Sequence, residues 1–98
     1  MYLKIHKSYR SVVAICDNDL LGKLFFEGKR QLHVRESFYK DIEVTKEEAI
    51  KTILFQARED STFNIVGKES VAAALEAGII DENSVFKVDN IPFALTLL

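Results

Sequence analysis

"TFNIVGKESVAAALEAG", Thr62 to Gly78, places a strand and a helix on either side of one glycine, and that junction decides the kind of fold. "TFNIV" is a short run rich in β-branched and aromatic residues, which favours a buried strand ending at Gly67. "KESVAAALEA" carries its apolar residues at helical spacing. Gly78 supplies the left-handed stop and Ile79 the hydrophobic contact that accompanies it.

Upstream of this junction, "VTKEEAIKTILFQARE" predicts a longer helix. Thr45 followed by Glu48 is a capping box, and Ala49, Ile50, Ile53, Leu54 and Ala57 form one apolar stripe that would lie on a sheet. Nearer the N-terminus, "YLKIHK" alternates as a half-buried strand and "SVVAIC" reads as a buried one, joined as a hairpin through "KSYR". "DNDLLG" reads as one helical turn capped by Asp17 or Asp19 and stopped by Gly22. "KLFFEGKRQLHVRE" returns to strand character, with a turn around Gly28 and either Phe25 or Phe26 feeding the core. The first 40 residues are therefore expected to form a small antiparallel sheet.

Downstream, "SVFKV" and "FALTL" are strands separated by "DNIP". Asp89-Asn90 favours the turn, and Pro92 belongs in it or at a strand edge. The expected fold is α+β: a single domain over residues 1–98, with a small, mostly antiparallel sheet of about six short strands and two main helices packed on it.

Composition bounds the function. The 98 residues are 48% hydrophobic, with seven Phe and one Pro, as expected of a packed domain. Cys16 is the one cysteine and cannot form an internal disulfide. Lys4, Lys7 and Arg10 interrupt every apolar run at the N-terminus. A reducing, cytoplasmic location is the expectation. The apolar runs fall well short of the roughly 20 residues that span a bilayer, so no membrane association is expected.

The net charge of −2 hides an asymmetry: residues 1–40 hold eight Lys or Arg against four acids, and residues 41–98 hold five against eleven. If the halves form separate faces, the basic one suits an anion.

"LLGKLFFEGKR" looks at first like a phosphate-binding loop. Gly22 and Gly28 are one residue too far apart, Arg30 stands where a hydroxyl would hold magnesium, and Leu24, Phe25 and Phe26 would keep backbone N–H groups from converging on phosphate. Nucleotide hydrolysis is set aside. His6 and His33 are the only histidines, with no Cys or His at ligand spacing, so neither a metal site nor any cofactor is expected. The acid pairs lie at helix starts and in loops, where carboxylates serve as caps or solvation. A small-molecule enzyme would require Asp17, Lys23, Glu27 and Asn64 to converge, and the expectation is that the chain is not an enzyme.

Two features suit an anionic ligand. In "NIVGK", the N–H groups of the helix start, Lys68 and the amide of Asn64 could meet an anion just after Gly67. In the first third of the chain, basic residues interleave with aromatics: Tyr2, Lys4, His6, Tyr9, Arg10, Lys23, Lys29, Arg30, His33 and Arg35. Rings that stack on bases beside cations that follow phosphates are how several small RNA-binding domains work.

The blocks "CDNDLLGKLFFEGK" with "FYKDIEVTKEEA", and "NIVGKESVAAALEAGII", resemble a family of small archaeal proteins labelled domain of unknown function 424. Cys16, Asp17, Leu20, Leu21, Gly22, Lys23, Glu27 and Gly28 carry the first block, and Asn64, Val66 and Gly67 the second. The resemblance implies an archaeal cytoplasmic protein of α+β fold without an assigned activity, and a loose link to RNA or the translation apparatus.

The favoured reading is a non-enzymatic module contacting RNA or an RNA-protein assembly through Lys23, Lys29, Arg30, Asn64, Gly67 and Lys68. Gly22, Gly28, Gly78 and Pro92 are expected to act as structural turns. The alternative is a protein-interaction or homodimerisation domain that pairs through "FALTL" and the strand before it as an exposed edge.

Overall fold

The computed structural model describes residues 1–96. Eight strands and three α-helices alternate along the chain. Strands β1 (Tyr2–His6) and β2 (Val12–Cys16) lead through a 3₁₀ turn at Asn18–Leu20 into β3 (Leu24–Glu27) and β4 (Arg30–His33). Helix α1 (Glu36–Tyr39) and β5 (Ile42–Glu43) precede α2 (Lys46–Arg58). After β6 (Thr62–Val66) come α3 (Lys68–Ala77), a 3₁₀ turn at Glu82–Ser84, β7 (Phe86–Val88) and β8 (Ile91–Thr96).

Six strands form one sheet in the order β5-β1-β2-β6-β8-β7, antiparallel at every pairing except β2 with β6. The expected α+β architecture is present, with one change. The first 40 residues do not make a sheet of their own, because β1 and β2 join the main sheet while β3 and β4 form a separate two-stranded hairpin. Pairing of β3 with β4 across a short turn satisfies the backbone groups that face each other, and packing of Phe25 and Leu32 against the body, not the larger ladder, holds the hairpin in place. Alternation along one strand cannot reveal which sheet will take it.

Strand periodicity divides the apolar residues between two cores. Leu3, Val13, Ile15, Phe63, Ile65 and Ala94 face one side and pack with Ala49 and Ile53 of α2 and Val71, Ala73 and Ala74 of α3. Ala14, Cys16 and Val66 face the other side, where Leu20, Val34 and Tyr39 cover them with Phe25, Leu32 and Phe38 at the margin. The sheet is therefore sandwiched: two helices lie on one face, and α1 with the β3–β4 hairpin lies on the other.

Helix α2 begins as its sequence demands. Glu48 N–H donates to Thr45 Oγ1 (3.2 Å), and Thr45 N–H donates to Glu48 Oε1 (2.9 Å). These backbone and hydroxyl donors hold the Glu48 carboxyl below the usual range. Of the predicted stripe, Ala49 and Ile53 are buried, while Leu54 lies at its margin and is exposed. Helix α3 stops as expected: Gly78 adopts φ 78°, its N–H reaches Leu75 O, and Ile79 N–H reaches Ala74 O.

Helix α1 has no counterpart in the sequence reading, since four residues are too few to show a period. Tertiary contacts hold it in place. Lys4 Nζ donates to Ser37 O and His6 Nε2 bonds Phe38 O, both at 2.8 Å, and the His6 ring stacks on Phe38. His6 is half-buried by these contacts.

Asp89 and Asn90 form the β7–β8 turn with positive φ, as expected of that pair. Pro92 lies within β8, one residue past the turn. Val88 pairs with Ile91 next to the turn, so Pro92 occupies the following position, whose main chain points away from β7. There its carbonyl accepts from Gly67 N–H at 2.8 Å, and its missing N–H falls beyond the last paired residue of β6, Val66.

Candidate functional site

Strands β2 and β6 run parallel in the register Cys16 to Val66, so the next residues, Asp17 and Gly67, emerge side by side. Asp17 N–H continues the ladder by donating to Val66 O (3.1 Å). The Asp17 carboxylate then turns over Gly67 onto the first turn of α3. Glu69 N–H donates to Oδ2 (3.1 Å), and both Ser70 N–H and Ser70 Oγ–H donate to Oδ1 (each 2.8 Å). These are the backbone donors that an Asp at the N-cap would satisfy. Here the cap position is Gly67, and the carboxylate arrives from β2 instead.

Gly67 is required by this arrangement. Its φ of 108° and ψ of 158° lie in a region only glycine adopts readily, and a Cβ would overlap the Asp17 carboxylate.

Two expectations are corrected here. Asp17 makes no cap bond to the turn that follows it; it caps α3. The start of α3, expected to accept an external anion, already holds an internal one. Asn64 is not part of that start either, since its register opposite Ala14 and Leu95 places it mid-strand, three residues before Gly67. Lys68 is exposed beside the junction, on the rim of a cavity of about 220 Å³ that also takes in Asp19, Leu20, Ile91 and Pro92. Of Asp17, Lys23, Glu27 and Asn64, only Asp17 lines that cavity, so the set an enzyme would need does not converge there.

Cys16 is fully buried behind Asp17, and burial with the neighbouring carboxylate pushes its thiol up to about 12. Tyr39, in the same core, is raised to about 12 by burial and by Cys16. Such a thiol is inert packing.

The other predicted residues gather on the hairpin. Gly28, at φ 61°, opens a two-residue turn with Lys29, and β3 pairs with β4 from Glu27–Arg30 back to Leu24–His33. Alternation gives the hairpin two unlike faces. Phe25 and Leu32 turn inward to the second core, and on the same face Glu27 accepts from Asp89 N–H (2.8 Å), fastening the tip to the β7–β8 turn. Leu24, Phe26, Gln31 and His33 make up the opposite face, with Phe26 56% and Leu24 44% exposed. Of the two phenylalanines, either of which was expected to feed the core, it is Phe25 that does so.

Lys23, Lys29 and Arg30 are exposed, and among the described residues no ion pair engages them; Lys29 lies in the turn, whereas Arg30, opposite Glu27, and Lys23, whose carbonyl accepts from Val34 N–H, have the parity of the inward face. Gly22, at φ 82°, returns its N–H to Val34 O (2.7 Å), which ties the open end of the hairpin to the body. The long basic-aromatic series does not form one surface. Tyr9 and Arg10 lie in the β1–β2 loop, at the opposite end of β2 from the hairpin. Nothing in the sequence distinguishes Phe26 from Phe25 except the parity of the strand, which required knowing which neighbour faced inward.

The expected exposed edge is also redistributed. β8 is bordered by β6 and, over Ile91–Phe93, by β7, so the outer strand is β7. β7 has three residues with Lys87 at its centre, a short, charged edge. Ala94 is fully buried in the first core. Among the described residues no helix is long and apolar enough to cross a membrane.

Fold and junction together define a small α+β protein in which two separated sequence blocks, one from Cys16 to Gly28 and one from Asn64 to Gly67, meet where Asp17 caps α3. Residues 6–97 match the family described as "Protein of unknown function (DUF424)", and the chain belongs to that family. A crystal structure of an uncharacterized conserved protein from Methanopyrus kandleri is similar at a TM-score of 0.87 and 27% identity, covering 97% of this chain and 88% of that one. Among curated proteins none matches.

Proposed function

We propose that the protein is a non-enzymatic binding module of the archaeal cytoplasm that contacts RNA, alone or within an RNA-protein assembly, through the β3–β4 hairpin. The observation that carries this reading is the set of exposed cations on that hairpin, Lys23, Lys29 and Arg30, which no ion pair neutralises among the described residues. Cations held within one rigid element and free of internal partners release counterions when they meet phosphates. Lys68 is exposed at the edge of the Asp17–Gly67 junction, where Asp17 and Asp19 line the same cavity. The α3 N–H groups play no part in the contact, because Asp17 occupies them.

The test is equilibrium binding to structured and single-stranded RNA at several salt concentrations. Wild-type affinity should fall steeply with salt, and replacing Lys23, Lys29 and Arg30 with Ala should reduce the slope of log K against log salt by about two. Salt-independent binding, or an unchanged slope in the triple variant, would remove the reading. Pairing of two copies along β7 is the alternative, and a solution mass twice that of the chain would favour it.

A further inference from the structure

We infer that the outer face of the β3–β4 hairpin is a base-stacking platform for single-stranded RNA, with Phe26 as the ring on which an unpaired base rests. This deepens the RNA reading and rests on it.

Phe26 is 56% exposed, whereas its neighbour Phe25 is half-buried against the second core. Leaving much of a large ring in water forgoes the gain of burying it, and with Phe25 already packed inward the hairpin has no packing need for a second phenylalanine. The groups around it suit a nucleotide. Leu24 continues the apolar surface, Gln31 sits directly across from Phe26 in the register, and His33 sits across from Leu24, offering hydrogen bonds to base edges. Lys29 lies in the turn adjacent to this face, while Arg30, on the Glu27 face, and Lys23, just before the first paired residue, place further charge at the two ends of the hairpin.

An exposed ring flanked by polar groups, with Lys29 at the adjacent tip and further cations at the hairpin's ends, fits a strand whose bases are free and whose phosphates pass along the hairpin. It does not fit a duplex, whose bases are already stacked on each other. The platform is also held rigidly. Phe25 and Leu32 anchor it in the second core, Glu27 fixes its tip to Asp89 N–H, and Gly22 N–H ties its base to Val34 O, so little order has to be imposed on binding.

The chain contains three tyrosines and no tryptophan, so Phe26→Trp introduces a single tryptophan at the proposed contact, which is excited selectively at the red edge of the absorption band. Titration with single-stranded oligouridylate and oligoadenylate should quench that fluorescence as binding proceeds, whereas a duplex of matched length should bind more weakly and leave it bright. Phe26→Ala, at an exposed position, should fold normally and lose about tenfold to a hundredfold in affinity for the single strand. Its salt slope should stay that of wild type, because no phosphate contact is removed.

The outcomes separate the two levels of the argument. Wild-type protein that binds with a steep salt slope, paired with Phe26→Ala that binds within twofold of it, overturns the stacking platform and leaves the RNA reading standing. Equal affinity for duplex and single strand, or a bound Phe26→Trp that is not quenched, overturns the platform likewise. Wild-type protein with no salt-dependent affinity for any RNA overturns both.

Discussion

Replacing Asp17 with Ala tests the junction that joins the two halves of the sequence. The carboxylate accepts from Glu69 N–H, Ser70 N–H and Ser70 Oγ–H, and Ser70 is fully buried. Truncation leaves the two Ser70 donors without a partner and away from water, at about 1–3 kcal/mol each, while the Glu69 N–H on the exposed side can hydrate. A loss of about 3 kcal/mol is expected, which for a domain of this size lowers Tm by roughly 12–24 °C.

Gly67→Ala should cost more, about 4–5 kcal/mol, because its Cβ displaces the same carboxylate and the side chain is also strained at φ 108°. The double variant is the informative one. Its Asp17 contacts are already gone, so adding the Gly67→Ala change imposes only the backbone strain, and the total should stay near 4–5 kcal/mol, short of the sum of the singles by about 3 kcal/mol. Thr45→Ala provides the control: it removes the α2 cap at a cost of about 1 kcal/mol, shares no hydrogen-bond partner with Asp17, and should add to Asp17→Ala without coupling. Urea unfolding of the wild type and these single and double variants measures all of these. If Asp17→Ala and Gly67→Ala add to within about 0.5 kcal/mol, the carboxylate and the glycine do not share one site and the reasoning fails.

Alkaline pH should destabilise the fold in a defined window. Cys16 is raised from 9.0 to about 12 and Tyr39 from 10.0 to about 12, so between those values the unfolded chain releases protons that the folded chain keeps. Their contribution is whole below pH 9 and is lost as pH rises toward 12; a urea midpoint that stays flat or climbs over that range would contradict it. In the same window the folded Cys16 should remain unreactive toward a thiol reagent until urea unfolds the chain, and rapid labelling of the native protein would contradict its burial.

Elements whose information is local are legible in the amino-acid sequence alone. The capping box at Thr45 and Glu48, the Gly78 stop with Ile79, and the Asp89-Asn90 turn each depend on a few neighbouring residues, and the structure contains all three. Helix α1 is not legible, because its four residues are held by Lys4 and His6 from a distant strand. The site is half legible. Lys23, Lys29 and Arg30 stand out as exposed cations from composition and turn chemistry. Phe26 is not separable from Phe25, and Asp17 points to the wrong helix because a cap is usually sought in the residue just before the turn it serves.

The sequence by itself therefore determined the α+β class, the two main helices with their ends, and the short strands other than β5, whose two residues are too few to alternate, since helical period, strand alternation and capping act over a handful of residues. Only the tertiary structure decided that β2 and β6 lie parallel in a register that sets Asp17 beside Gly67, and that the hairpin turns Phe25 inward and Phe26 to water. Those outcomes follow from pairing residues about fifty positions apart and from which face of a strand meets the core, and neither is encoded within any short stretch of chain.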